Sequence, residues 1–261
     1  VAPRPLAAHS KSPSWVTISW KLYANNAHSL EYVYLPRETA CIRCLQFQHQ
    51  QDHSQGTPPT LYLLRYKGPF EATSQIASRS VAGAVEDALD AGIFVVAAAG
   101  NAGPDNSDVS TPANVDRVIS VGAYDRFMTP WSNSSVGSQI DPYSETTRVW
   151  PNQKPEILGP GSYILSTVSS DKSPPYAYST GTSDATLFVT GSLALILQDL
   201  SQRNIVNISS LNDNRIDIVK QALAESAKPI DGQIGHDERS GYGMLDAVEW
   251  RDRVESSADQ W

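Results

Sequence analysis

The chain has 261 residues, 40% of them hydrophobic, with 28 acidic against 20 basic side chains and a net charge of −8. That length supports one domain with a substantial core, and the acidic balance argues against a nucleic-acid-binding role. No apolar run reaches the length of a membrane span; the longest, residues 187–200, is interrupted by Thr190, Ser192 and Gln198.

Residues 1–14 are rich in Pro, Ser and Ala and read as irregular. Residues 15–22 alternate apolar and polar and predict a strand, as does the run 30–35, which Pro36 ends. Residues 39–51 predict a helix with Ile42, Leu45 and Phe47 partly on one face, broken by Gly56-Thr57-Pro58-Pro59. Another strand is expected at 60–64, before Gly68-Pro69.

From there the alternation is clearer. Residues 74–91 carry Ile76, Val81, Val85, Ala88 and Leu89 at helical spacing, with Gly92 as the stop. Strands follow at 93–99 and 118–123, then a loop with a short strand over 125–143, and a strand or ribbon at 162–168. Helices are expected at 185–200, long and buried, at 213–227, and at 244–254. Strands alternating with helices predict an α/β fold, a mostly parallel sheet with helices on both faces. No repeat or linker divides the chain, so 1–261 reads as one domain. The start at Val1, without Met or a signal-peptide pattern, reads as a processed or incomplete product.

Cys41 and Cys44 form a C-x-x-C pair, with His49 and His53 following. Two readings stand: a metal constellation, with a gap much shorter than in a zinc finger, or two helix residues, with or without a disulfide. Asn133-Ser134-Ser135 and Asn207-Ile208-Ser209 fit the glycosylation sequon.

Two segments carry chemistry. Gly181-Thr182-Ser183-Asp184-Ala185-Thr186 places a Ser at the start of a long apolar helix. A tight turn there holds the hydroxyl, and the helix N-terminus favours negative charge developing beside it. Ser and Thr are also ordinary N-caps. The second segment, residues 93–104, is an apolar run that stops at Gly100-Asn101. It reads as a buried parallel strand with Asn101 at its carboxyl end, where α/β sheets bind ligands. Its amide suits the stabilisation of an oxyanion, and Gly-Asn is equally an ordinary turn.

Together these segments resemble the subtilisin-like serine proteases, the subtilases. Gly181 to Gly191 is similar to the family's nucleophile segment, and Ala98-Ala99-Gly100-Asn101 to its oxyanion segment. Lys154-Pro155-Glu156-Ile157-Leu158-Gly159-Pro160-Gly161 resembles the stretch before the nucleophile, and Gly241-Tyr242-Gly243-Met244-Leu245-Asp246-Ala247 the closing motif. The match is good over residues 81–250 and poor over 1–80. The resemblance implies that Ser183 attacks a peptide carbonyl and that Asn101 holds the oxyanion. It implies that Leu64 to Gly68, with Arg65, Tyr66 and Lys67, pairs an extended substrate, and that Ala98, Ala99 and Gly100 wall its side-chain pocket. Peptides or proteins are the expected substrates, and an extracellular location is the expected one. The resemblance allows a structural Ca2+ ion and a propeptide.

The family's Asp and His motifs are not recognisable. The base should precede two strand–helix units before Asn101, which favours His9 over His49 and His53; His236 follows the Ser. The orienting Asp would then fall before Val1. Asp184 and Leu187-Phe188 stand where the family has Met and Pro-His. A second reading therefore accompanies the endopeptidase: a subtilase-fold pseudoprotease retained as a structural or binding module. A lipase or esterase would need Gly-x-Ser-x-Gly, which residues 181–185 do not satisfy.

Overall fold

The computed structural model describes the backbone of residues 20–22, 28–30, 42–46, 61–66 and 75–80. From residue 81 onward it describes backbone and side chains, except at 106, 169–173, 207–213 and 261. Five strands form the main sheet in the order β3 (Ile42–Gln46), β4 (Leu61–Tyr66), β5 (Phe94–Ala98), β6 (Ile119–Tyr124) and β7 (Ile157–Pro160). Pairing is parallel from β4 to β7 and antiparallel between β3 and β4. Two short ribbons lie apart: β1 (Trp20–Leu22) with β2 (His28–Leu30), and β8 (Ile164–Thr167) with β9 (Tyr176–Ser179).

The expected parallel α/β sheet is therefore present. On β5, Phe94, Val95, Val96 and Ala97 are all buried. Successive strand residues point to opposite faces, so a strand buried at every position is covered on both sides. Helix α1 (Gln75–Asp90) packs on β5, burying Ala82, Val85 and Leu89 at helical spacing. Gly92 ends it at φ 75°, with Ile93 N–H returning to the Ala88 carbonyl. Helix α2 (Thr182–Gln202) lies across β4, β5, β6 and β7, burying Ala185, Val189, Leu193, Ile196 and Leu200. It is not buried all round: Leu187, Phe188 and Leu195 are exposed. Helix α3 (Asn214–Ser226) packs on α4 (Ala247–Ser256), which also touches α2.

Three expectations change. The helix expected over 39–51 is a strand where it is described, β3, whose partner β4 supplies the ladder hydrogen bonds; pairing outweighs an ambiguous local period. The last helix starts at Ala247 rather than 244, because Met244 bridges Leu158 and Lys228, and Asp246 then caps the helix through the Val248 and Glu249 N–H groups. Of the expected strand 30–35, Leu30 is in β2, which pairs antiparallel with β1 outside the main sheet; residues 31–35 lie outside the described residues.

Beneath the sheet ends sits a buried ionic cluster. Glu156 Oε1 accepts from Lys154 Nζ at 2.8 Å and from Lys220 Nζ of α3 at 2.7 Å, while Oε2 accepts from the Ser120 N–H at 2.8 Å. Both ammoniums also donate to the Val118 carbonyl, and Lys220 to Asn152 Oδ1. One carboxylate thus holds two cations and fastens α3 to β6 and to the segment entering β7. Removing one member of a buried ion cluster strands the remainder. Glu156→Gln should lower unfolding free energy by about 3–5 kcal/mol, read from urea denaturation.

Burial, opposed by Glu156 and reinforced by Lys220, pulls the Lys154 ammonium down to about 8 from 10.5. The folded chain then binds fewer protons than the unfolded chain between those two values, so stability from this group rises with pH across that window. Wild type should gain up to about 1.4 kcal/mol per pH unit relative to Lys154→Met between roughly pH 8 and 10, and nothing below it. A difference that shrinks with rising pH in denaturation curves would reject this placement of the charge.

Candidate active site

Strand β5 is a continuous apolar run, and it ends where Gly100 takes φ 114°, which side chains rarely adopt. A Cβ there would also collide with Ser110 Oγ and stand 2.8 Å from Ser135 Oγ. Neighbouring loops brace the turn: Ser110 N–H donates to the Ala99 carbonyl, Ser135 N–H to that of Gly100, and Ala102 N–H to Ser135 Oγ. Asn101 emerges from this turn and is exposed.

Helix α2 opens with Gly181 as N-cap, which has no side chain to satisfy the first N–H groups. Asn101 supplies the missing acceptor. Its Oδ1 accepts from the Thr182 N–H at 3.0 Å and from the Thr182 hydroxyl at 2.9 Å, across 81 residues. The same hydroxyl accepts from the Gly100 N–H at 3.2 Å. Thr182 is thus a relay between the end of β5 and the start of α2. With Oδ1 committed to two donors, Asn101 presents Nδ2 as its free face, and among the described residues Nδ2 meets no acceptor. Ser183 is the second residue of the helix, half-buried, and its hydroxyl makes no hydrogen bond with the described residues. Its N–H is among those that no intrahelical carbonyl can reach.

From below, β7 seats the helix start. Gly181 N–H donates to the Gly161 carbonyl at 2.8 Å. A Cβ on Gly161 would lie 2.6 Å from Ala123 Cβ and 2.8 Å from the Gly181 carbonyl oxygen.

The structure therefore brings the two segments together, and Asn101 and Ser183 both belong to the junction. Among the other expected residues, Ala98 and Gly100 are partly exposed beside Asn101, whereas Ala99 is fully buried in the core. Arg65 and Tyr66 lie on β4, which is paired on both sides; along them β3 occupies the edge expected to receive a substrate strand. Lys67, Gly68 and His9 lie outside the described residues, as do Cys41, His49 and His53. His236 Nε2 lies 2.9 Å from the Pro155 carbonyl, and its ring meets Tyr242 edge-on. Burial holds its pKa below the ordinary value, and none of its contacts reaches the first turn of α2. Among the described residues no three His, Cys, Asp or Glu side chains gather to hold a metal ion. Nor is any helix among them long and apolar enough to cross a membrane.

Thr182 lies inside the Gly-Thr-Ser turn, but its role as an organiser has no signal in the local sequence, because its partners are Gly100 and Asn101. Ser110 and Ser135 carry no local signal at all, since their role arises only from loops returning to Gly100.

The model of the subtilase family matches residues 52–243. The chain belongs to the subtilase family. It is 38% identical over 126 residues to a serine protease, AprX, of Bacillus subtilis (strain 168), a match covering 44% of this chain and 28% of that one. With subtilisin DY of Bacillus licheniformis the identity is 39% over 116 residues, covering 44% and 36%. With a thermophilic serine proteinase of Bacillus sp. (strain AK1) it is 34% over 149 residues, covering 57% and 29%. The matches thus span only about a third of these relatives' length. Among solved structures the fold is similar to the prenylagaramide maturation protease PagA (TM-score 0.51, 23% identity, covering 73% of this chain and 70% of that one). It is likewise similar to the patellamide maturation protease PatA (TM-score 0.50, 25% identity, 72% and 60%).

The support from β7 yields a direct expectation. Gly161→Ala should force the start of α2 away from the sheet and cost about 1–3 kcal/mol, the usual range for overpacking, measured as a shift of the urea midpoint. An unchanged midpoint would mean that the seat has slack the geometry does not reveal.

Proposed function

We propose that this subtilase-family chain is a serine endopeptidase of the subtilisin-like type. The observation that carries the reading is the pair of groups that the Thr182 relay leaves open among the described residues, Asn101 Nδ2 and the helix-borne Ser183 Oγ. In this reading Ser183 Oγ attacks the peptide carbonyl carbon and its proton passes to a histidine base, for which His9 is the candidate. The carbonyl oxygen gains the negative charge, and Asn101 Nδ2 and the Ser183 N–H donate to it. Collapse of the tetrahedral adduct breaks the C–N bond, and the proton on the histidine leaves with the amine; water, giving a proton to the same base, then attacks the acyl-serine carbon, and the Oγ–C bond breaks as Ser183 regains its proton. The N-terminal end of α2 favours the anion further. Ala98 and Gly100 flank the bound residue.

The alternative, a pseudoprotease serving as a structural or binding module, is favoured by the unrecognisable Asp and His motifs. A fluorophosphonate probe separates the two. If the proposal is right, intact mass rises by one adduct, and the adduct is lost in Ser183→Ala and in His9→Ala. A chain that stays unlabelled while an active subtilisin control is fully labelled is a pseudoprotease. Labelling that persists in His9→Ala would point to a different base.

Asn101→Ala should lower kcat by roughly 10²–10³-fold with KM nearly unchanged, a magnitude carried over from a subtilisin's oxyanion asparagine. Thr182 acts through Asn101 as a positioning residue. Thr182→Val should therefore reduce kcat more than it raises KM, and Thr182→Ser, which keeps the hydroxyl, should recover most of the rate. Loss of rate in Thr182→Ser with little loss in Thr182→Val would show that the methyl group rather than the relay matters.

A further inference from the structure

We propose that Asp184 is a specificity residue that selects substrates with a Lys or Arg side chain beside the scissile bond. The inference rests on the reading of Ser183 as nucleophile. Asp184 follows Ser183 directly in the first turn of α2. Its Oδ2 accepts a hydrogen bond from the Ser179 hydroxyl, at the end of β9, at 2.8 Å. The same oxygen lies 3.7 Å from the point where a Cβ on Gly181 would stand, and Asn101 Nδ2 lies 3.2 Å from that point. Carboxylate and amide therefore flank one glycine, with the carboxylate tied to the β8–β9 ribbon.

A first-turn Asp suits the helix dipole wherever its side chain points. Asp184 does more than that, because the Ser179 bond holds its charge beside the junction and the preceding residue is the serine. Among the described residues no Lys or Arg pairs with it. One hydroxyl fills one of about four acceptor positions on a carboxylate. The remaining positions suit an ammonium or guanidinium from outside the chain. Next to an oxyanion the carboxylate is unfavourable by itself; a substrate cation between them removes that penalty, and a substrate carboxylate adds to it. Selection therefore arises from attraction and from repulsion at one side chain.

The test uses peptides identical except for Lys, Gln or Glu at the residues flanking the cleaved bond. Turnover is read on the full chain, and binding is read by fluorescence anisotropy of the same peptides on Ser183→Ala. In both readouts the order should be Lys, then Gln, then Glu, with successive steps of about three- to tenfold, the scale of a partly shielded charge pair. Asp184→Asn should flatten the series, and Asp184→Lys should reverse it. Asp231→Asn, which removes an equal charge from an exposed loop, should leave the series intact and so exclude net charge as the cause. A series unchanged in Asp184→Asn overturns the inference, as does wild type showing no charge order in binding. Failure of the protease reading looks different: no fluorophosphonate labelling, with charge-selective binding kept.

Discussion

The junction depends on two hydrogen bonds accepted by a single oxygen, Oδ1 of Asn101, from the main chain and side chain of Thr182. A helix that begins at a glycine leaves its first N–H groups without a local acceptor. A cap from another element meets that need and fixes where the element stands. The oxygen that caps α2 also fixes the orientation of its own amide, so Nδ2 turns away from the helix bond. The cost of holding a polar side chain still is offset by satisfying a donor that would otherwise be left bare. Stability and the placement of the amide donor thus come from one contact, and Thr182 serves both because its hydroxyl accepts on one side and donates on the other.

That contact is useful only if both elements are held from below. The strand that does this is β7, whose Gly159, with Gly161 just beyond it, lets α2 approach the sheet closely, and the Glu156 cluster sets where β7 begins. Two lysines on one buried carboxylate are an expensive way to join segments, since apolar packing often does as well or better. What the cluster adds is direction: Glu156 must face Ser120 and both ammoniums at once, and a one-residue slip of β7 would turn it to the opposite face of the sheet. We read the cluster as a register device that keeps Gly159 and Gly161 under the helix start.

Much of this was legible in the chain. Strand β5 announced itself because a strand buried on both faces has no polar position to break its run, and α1 because Val81, Val85 and Leu89 keep helical spacing up to Gly92. Strand β3 was misread because Ile42, Leu45 and Phe47 fit a helical face loosely while Ile42, Cys44 and Gln46 also alternate with Arg43 and Leu45. The choice is made by β4, some twenty residues away. Strand β7 was hidden by its own glycine and proline, poor strand formers that are there for close approach. Strand β9 was passed over because its tyrosines lie exposed on a ribbon with no core face to reveal a period. Lys154 and Glu156 stood together in a recognisable segment, but Lys220, which completes the cluster, is brought in by tertiary packing alone. The same holds for Thr182: the motif was visible, but its partner was 81 residues away.

The junction also changes what the retained motifs mean. From sequence, keeping both Gly-Asn and Gly-Thr-Ser looks like a mark of catalysis, because a fold without chemistry has little need of them. The structure supplies such a need: Asn101 caps α2, Gly100 fits where a Cβ would strike two serines, and Thr182 joins them. A subtilase fold that had lost its base would still be less stable without these three. The atoms that discriminate are therefore the two with no structural employment among the described residues, Asn101 Nδ2 and Ser183 Oγ. Among the described residues that hydroxyl and amide nitrogen take no part in holding the fold, and a substrate carbonyl would meet both, its carbon at Oγ and its oxygen at Nδ2. The case for catalysis rests on those two atoms rather than on the motifs that contain them.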